Sequence, residues 1–168
     1  MHFPALLYTC ILSMIGLMDG IPVHQDTLKN VIKMQADTII HRIKEHKEKL
    51  RFPDIVIDNT ELKALADKPI QGLGSIMDTL TTIQKVLQKL PKGHVSQICV
   101  DVSTLLGFLK DRMTFMRCTH KEPTNGKSLD AFLEANATNH VTLGYVALDG
   151  LKQFMQNLIG NLDHLRSC

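Results

Sequence analysis

The chain has 168 residues, enough for one domain with a sizeable single core. Aliphatic residues and Met are plentiful while Phe numbers 6, Tyr 2 and Trp 0, so the core should be built from Leu, Ile, Val and Met packed between helices. The formal charge is +2 with acids and bases interspersed, which leaves no concentrated basic field for nucleic acid or an anionic membrane surface.

The first element in chain order is a leader. The run from Phe3 through Cys10 to Met18 carries no charge and is shorter than the roughly 20 apolar residues with firm anchors that a spanning helix needs. It reads as the apolar core of a signal peptide over residues 1–20, cut near Gly20-Ile21, leaving residues 21–168 as the exported domain. No later segment is apolar enough to insert in a membrane, so the expected product is secreted and extracellular.

Four helical segments follow. The first is expected over Asp26 to Lys49 with Asp26 or Thr27 as cap, and Leu28, Val31, Ile32, Ala36, Ile39 and Ile43 recur on one face. The second should begin at Ser75 as N-cap and run to Leu90, burying Ile76, Leu80, Ile83, Leu87 and Leu90 before Pro91 and Gly93 stop it. In the third, from about Val95 to Arg117, the stripe is Val95, Ile98, Cys99, Val102, Leu106, Leu109 and Met113. The fourth is expected from about Thr142 to Leu165 with Leu148, Leu151, Phe154, Met155, Leu158, Leu162 and Leu165 inward.

The links between these segments are long, short and long. Roughly twenty residues holding Pro53, Asn59, Pro69, Gly72 and Gly74 follow the first helix, Pro91-Lys92-Gly93-His94 follows the second, and roughly twenty more precede the fourth. A short link makes its helices antiparallel neighbours, whereas about twenty extended residues can run back along a helix and start a parallel one. The fold class is therefore all-α, a four-helix bundle running up-up-down-down with two long crossover loops. A short extra helix capped by Ser128 and ending near Ala135 should lid one end of it.

Once the leader has gone, Cys99, Cys118 and Cys168 remain. Export favours a bridge, for which Cys118 and Cys168 are candidates because each ends a predicted helix, while Cys99 sits on an apolar stripe and suits a buried free thiol. Nothing in the sequence has catalytic, metal or cofactor spacing. His41 and His46 flank Glu45 without the one-turn ligand spacing of a helical zinc site, no two cysteines stand two residues apart, and Gly72-Leu73-Gly74-Ser75 reads as a helix-entry turn. The chain is not expected to be an enzyme. Asn136-Ala137-Thr138 is a glycosylation sequon in a predicted loop.

Some apolar residues are out of place. Phe108 and Phe115 fall near the direction of Gln97, Asp101 and Thr104 on the third helix, and Met34 lies beside Asp37 and Thr38 on the first, all away from the core stripes. Large apolar side chains among polar ones are what a protein-binding anchor looks like, although a crossover loop can also cover such a face.

Several stretches follow one another in a telling order. Ile21-Pro22-Val23 opens the exported domain, Arg42-Ile43 closes a first-helix run, and Lys68-Pro69-Ile70 leads to Met77-Asp78-Thr79-Leu80. Val95-Ser96-Gln97-Ile98 continues without a gap through Asp101 to Cys118, and Leu129-Asp130, Leu133-Glu134-Ala135, Val146-Ala147-Leu148, Leu162-Asp163 and Cys168 come after. In this order they resemble the leptin family of long-chain four-helix cytokines over essentially the whole chain. The distance from mammalian members and an apparent insertion around Asn136 imply a non-mammalian, fish-like branch.

The resemblance implies a disulfide between Cys118 and Cys168, a class I cytokine receptor of the leptin-receptor type as partner, and a hormone of energy balance and appetite, monomeric when free. It places receptor contacts on Asp37, Thr38 and Arg42 of the first helix and on Gln97, Asp101, Thr104 and Phe108 of the third, beside the displaced Met34. A further contact falls on Thr142 and Leu143 at the start of the fourth helix. A loop contact of the family falls near Leu62-Lys63-Ala64-Leu65, where its leucine-aspartate-phenylalanine-isoleucine run is absent. A contrasting function for such a bundle is a secreted carrier of an apolar ligand, which needs an internal cavity.

Overall fold

A computed structural model describes residues 25–50, 64–119, 126–135, 138 and 140–168, with the side chains of residues 25, 50, 92–94, 126–129 and 132 excepted. The leader with Cys10, the start at Ile21, Pro53, Asn59, Leu62, Lys63 and Asn136 lie outside the described residues. The helices are α1 (Gln25–Leu50), α2 (Leu73–Gln88), α3 (Lys92–Phe115), α4 (Gly126–Ala135) and α5 (His140–Gly160), followed by a 3-10 turn over Leu162–Arg166.

Each long helix has one apolar face because Leu, Ile, Val and Met recur every three or four positions, and hiding those faces from water is what assembles the bundle. Side-chain contacts fix the directions. Lys29 meets Asp163 and Lys47 meets Asp149, so α1 runs antiparallel to α5. Leu90 just after α2 packs near Gly144 at the start of α5, while Leu73 at the start of α2 meets Ser167 beyond the end of α5, so these two are antiparallel as well. The link from α2 to α3 is only Lys89, Leu90 and Pro91, which makes that pair antiparallel too. Hence α1 parallels α2 and α3 parallels α5, the expected up-up-down-down bundle.

The expected core is largely the observed one: Ile32, Ala36, Ile39, Ile76, Leu80, Leu87, Val102, Leu109, Leu151, Phe154 and Leu158 form one contiguous cluster. Differences have local causes. Asp26 and Thr27 lie inside the first turn of α1, where an acidic residue favours the positive helix end, and are not its caps. Gly72, not Ser75, is the N-cap of α2. Ser75 sits three residues on, and its Oγ accepts from the backbone N–H groups of Gln71 and Gly72 at 2.9 and 3.2 Å, closing the turn from within the helix. Gly93 lies inside α3, and Ser128 inside α4. On α3, Leu105 is buried in the place expected of Leu106, which like Cys99 is half-buried at the edge of the core. The fourth helix ends at Gly160, and Leu162 and Leu165 belong to the 3-10 turn.

The two ends of the bundle close differently. After α3, Arg117 adopts a left-handed conformation at φ 57°, which lets the N–H of Cys118 reach back to the carbonyl of Met113 at 2.9 Å. That turn aims Cys118 at Cys168, and the two form the disulfide, with Cα atoms 5.5 Å apart. Ser167 and Cys168 in turn lie on the start of α2, where their carbonyls accept from the N–H groups of Leu73 and Gly74 at 2.9 Å each, filling two helix-end donors that would otherwise lack partners. At the other end α4 covers the bundle through Leu133, which joins the core, beside a cleft lined by Lys89, Asp130, Glu134, His140 and Leu143.

Candidate functional site

The residues singled out on the first and third helices come together where α1 crosses α3. Arg42 Nε stands 2.5 Å from Asp101 Oδ2. Asp101 Oδ1 accepts from Gln97 Nε2 at 3.1 Å, one turn earlier on α3. Because the helices are antiparallel, stepping back from Arg42 to Met34 and forward from Asp101 to Phe108 moves the same way along the bundle. At about 1.5 Å per residue the steps are about 12 and about 10 Å, so Met34 and Phe108 stand level.

Both are open to solvent, Met34 at 58% and Phe108 at 39% exposure. Met34, Asp37 and Thr38 line a shallow groove on the outer face of α1, flanked by Asn30, Lys33 and His41. Phe115, two turns beyond Phe108, is exposed as well and lies against the Arg112 guanidinium, 5.4 Å from its centre. Thr104 is exposed on the same helix, with its hydroxyl donating to the Val100 carbonyl at 3.0 Å. Thr38 likewise donates to the Met34 carbonyl at 2.8 Å.

The pair at the start of the fourth helix divides. Thr142 is exposed, but Leu143 is only 4% exposed, joins the core and lines the cleft beside Leu133. The helix starts at His140, two residues before the expected Thr142, and its apolar face takes in Leu143, Val146 and Ala147 ahead of Leu148. Val100 and Val141 are exposed apolar residues that the sequence reading did not pick out. Val100 follows two half-buried or buried α3 positions directly, so periodicity alone would have placed it outside.

His41 contacts Glu45 at 3.7 Å as a surface pair one turn apart. Cys99 is a free thiol, and burial raises its pKa above the ordinary cysteine value. Among the described residues no group of three His, Cys, Asp or Glu is placed to hold a metal ion, and no helix is long and apolar enough to cross a membrane. What the geometry offers is a two-helix face with apolar side chains at one level and an ion pair at another, suited to docking against another protein.

No curated protein matches the chain. The family model described as Leptin matches residues 23–168, a span that takes in all four long helices, the α1–α3 face and both bridged cysteines, and the chain therefore belongs to the leptin family of helical hormones.

Proposed function

We propose that the protein is a secreted hormone that binds and activates a class I cytokine receptor of the leptin-receptor type, and that it acts on energy balance and appetite. The observation that carries this reading is the α1–α3 face, where Met34 and Phe108 are exposed at one level of the bundle on helices fixed by the core beneath them. Large apolar side chains on rigid elements are the residues from which docking energy comes. The face spans Met34, Asp37, Thr38 and Arg42 on one helix and Gln97, Asp101, Thr104 and Phe108 on the other. A monomeric ligand must offer two surfaces to bring receptor chains together. Thr142, exposed at the start of α5, marks the second. The carrier reading would need interior space, and the bundle interior is occupied by Phe154, Ile32, Leu80, Leu109 and Leu151.

The test is a titration of oxidised protein against the ectodomain of a leptin-receptor-type chain. Phe108→Ala should weaken binding by about 1 to 3 kcal/mol, about 5- to 150-fold, with the helical spectrum unchanged. Unaltered affinity would remove the α1–α3 face from the interface.

A further inference from the structure

We infer that Asn136 carries an N-linked oligosaccharide, rooted at the α4 end of the bundle and standing clear of Met34 and Phe108. The inference rests on the proposal that the protein is secreted, because the sugar donor is met only along the export route. Asn136 is followed by Ala137 and Thr138, and no other Asn of the chain has Ser or Thr two positions on. Transfer needs that hydroxyl and a residue other than Pro between, and Ala137 meets the second condition. In the reaction the side-chain amide nitrogen of Asn136 bonds to C1 of an oligosaccharide carried on a lipid pyrophosphate. The bond from C1 to the pyrophosphate oxygen breaks, the lipid pyrophosphate leaves with the electron pair, and the amide gives up one proton.

A sugar attached here must stay in water once the chain folds, and the surroundings allow it. Asn136 itself lies outside the described residues, but the residues that bracket it do not: Ala135 ends α4 and Thr138 lies in a turn, both exposed. Consecutive Cα atoms stand about 3.8 Å apart, so the root is held close to the exposed Ala135. Glu134, His140, Val141 and Thr142 are exposed as well, so a bulky polar group in this link has solvent on both sides of it. The distance to the docking face follows from the helix directions. α3 starts at this end, just after Leu90, which packs near Gly144 of α5. At about 1.5 Å per residue, Phe108 lies about 24 Å along the axis from Lys92. Lys47 of α1 meets Asp149 of α5, and Met34 lies about 20 Å further from the α4 end than Lys47 does. The sugar therefore flanks Thr142 and leaves Met34 and Phe108 open.

The full chain with its leader is expressed in cultured vertebrate cells, and protein from the medium and from the cells is measured by mass spectrometry before and after peptide-N-glycosidase treatment. The protein in the medium should lose one oligosaccharide on treatment, leaving aspartate in place of Asn136. Asn136→Gln and Thr138→Ala should lack the sugar, and Thr138→Ser should keep it; the parent's own mass shift decides the matter even where a variant folds poorly. Hydrogen exchange around Met34 and Phe108 should be the same with and without the sugar, and a difference there would overturn the stated position. Protein in the medium with the bare mass of the mature chain would overturn the modification while leaving export intact. Protein kept inside the cells with its leader uncut would overturn the secreted reading and the inference with it. A sugar that survives Asn136→Gln would overturn the site.

Discussion

The disulfide end of the bundle and the end covered by α4 solve the same problem with different interactions. At the first, four chain segments meet: the starts of α1 and α2, the turn after α3 and the tail after α5. They are tied by the Cys118–Cys168 bridge, by backbone hydrogen bonds from Leu73 and Gly74, and by the Lys29–Asp163 contact. At the second, closure depends on apolar burial of Leu90, Leu133 and Leu143 and on Lys47, which pairs with Asp149 at 2.7 Å and lies 4.0 Å from the centre of the Tyr145 ring. Side-chain burial can loosen locally, whereas a bridge lets its partners separate only when it is broken. The tail end is therefore tied covalently and through backbone, the α4 end through side chains alone.

Breaking the bridge should have the largest effect. It joins cysteines 50 residues apart, and in the chain-entropy model a loop of that size is worth about 4 kcal/mol. That is a large share of the roughly 5 to 15 kcal/mol by which domains are stable. Cys118→Ala with Cys168→Ala should lower the denaturant midpoint accordingly. Hydrogen exchange should show protection lost first at the amides of Leu73 and Gly74, because the carbonyls they donate to belong to the released tail. Protection at those two amides equal to the parent's would show that the tail keeps its seat without the bridge, and the asymmetry between the ends would then have another source.

Much of this arrangement was legible in the sequence, and the parts that were not share a cause. The stripes of α1, α2 and α5 gave the bundle, the link lengths gave its topology, and helical angle gave the outward direction of Met34, Phe108 and Phe115 while leaving open whether a crossover loop covers them. What stayed hidden depends on a neighbour far away in the chain. Leu105 and Leu106 are adjacent and equally apolar, and which one is buried is decided by where α1 and α2 flank α3. Arg42 and Asp101 enter separately, as contacts implied by the resemblance, and their pairing appears only when the two helices are side by side. Leu143 is a contact only by the resemblance, and its place in the core shows only once the helices are packed. The form of the turn after α3 carried no signal either, because the left-handed position that glycine usually fills is held by Arg117.

Two glycines sharpen the comparison at the next level of energy. Gly72 enters α2 at the tail end, and a Cβ there would meet the Cys168 carbonyl carbon at 2.7 Å, with both Cys168 and Ser167 oxygens close by. Its backbone is extended, so the constraint is space and not an unusual φ. The obstacle is backbone held by hydrogen bonds and a disulfide, which cannot step aside, so Gly72→Ala should destabilise the protein by about 1 to 3 kcal/mol. Gly144 lies inside α5 at the other end, where a Cβ would find Leu90 side-chain carbons at 3.5 and 3.7 Å, ordinary contact. There Gly144→Ala should stabilise by about 0.5 to 1 kcal/mol, since glycine in a helix gives up more conformational entropy on folding than alanine does. Thermal unfolding of the two variants should therefore shift in opposite directions. Equal shifts would mean that the tail moves freely and that the two ends are alike.

The smallest effect separates the bridge from the charges around it. Lys29 Nζ lies 2.5 Å from Asp163 Oδ1, and its hydrogen bond and positive charge, in that order, hold the Asp163 carboxyl below the ordinary carboxylate range. A carboxyl depressed in the folded state releases its proton more readily there than in the unfolded chain, so the pairing stabilises the fold above the unfolded value of about 4 and that contribution is lost as pH falls through the folded value. The pair is solvent-exposed on the Asp163 side, which keeps its contribution modest and salt-sensitive. Asp163→Asn should make the protein slightly less stable than the parent near neutrality, with the difference shrinking as acid protonates the parent's carboxyl and shrinking also in high salt. A difference that persists unchanged at low pH would assign the effect to packing of the 3-10 turn, and the tail end would then owe its hold to the bridge and the backbone of α2 without help from Lys29.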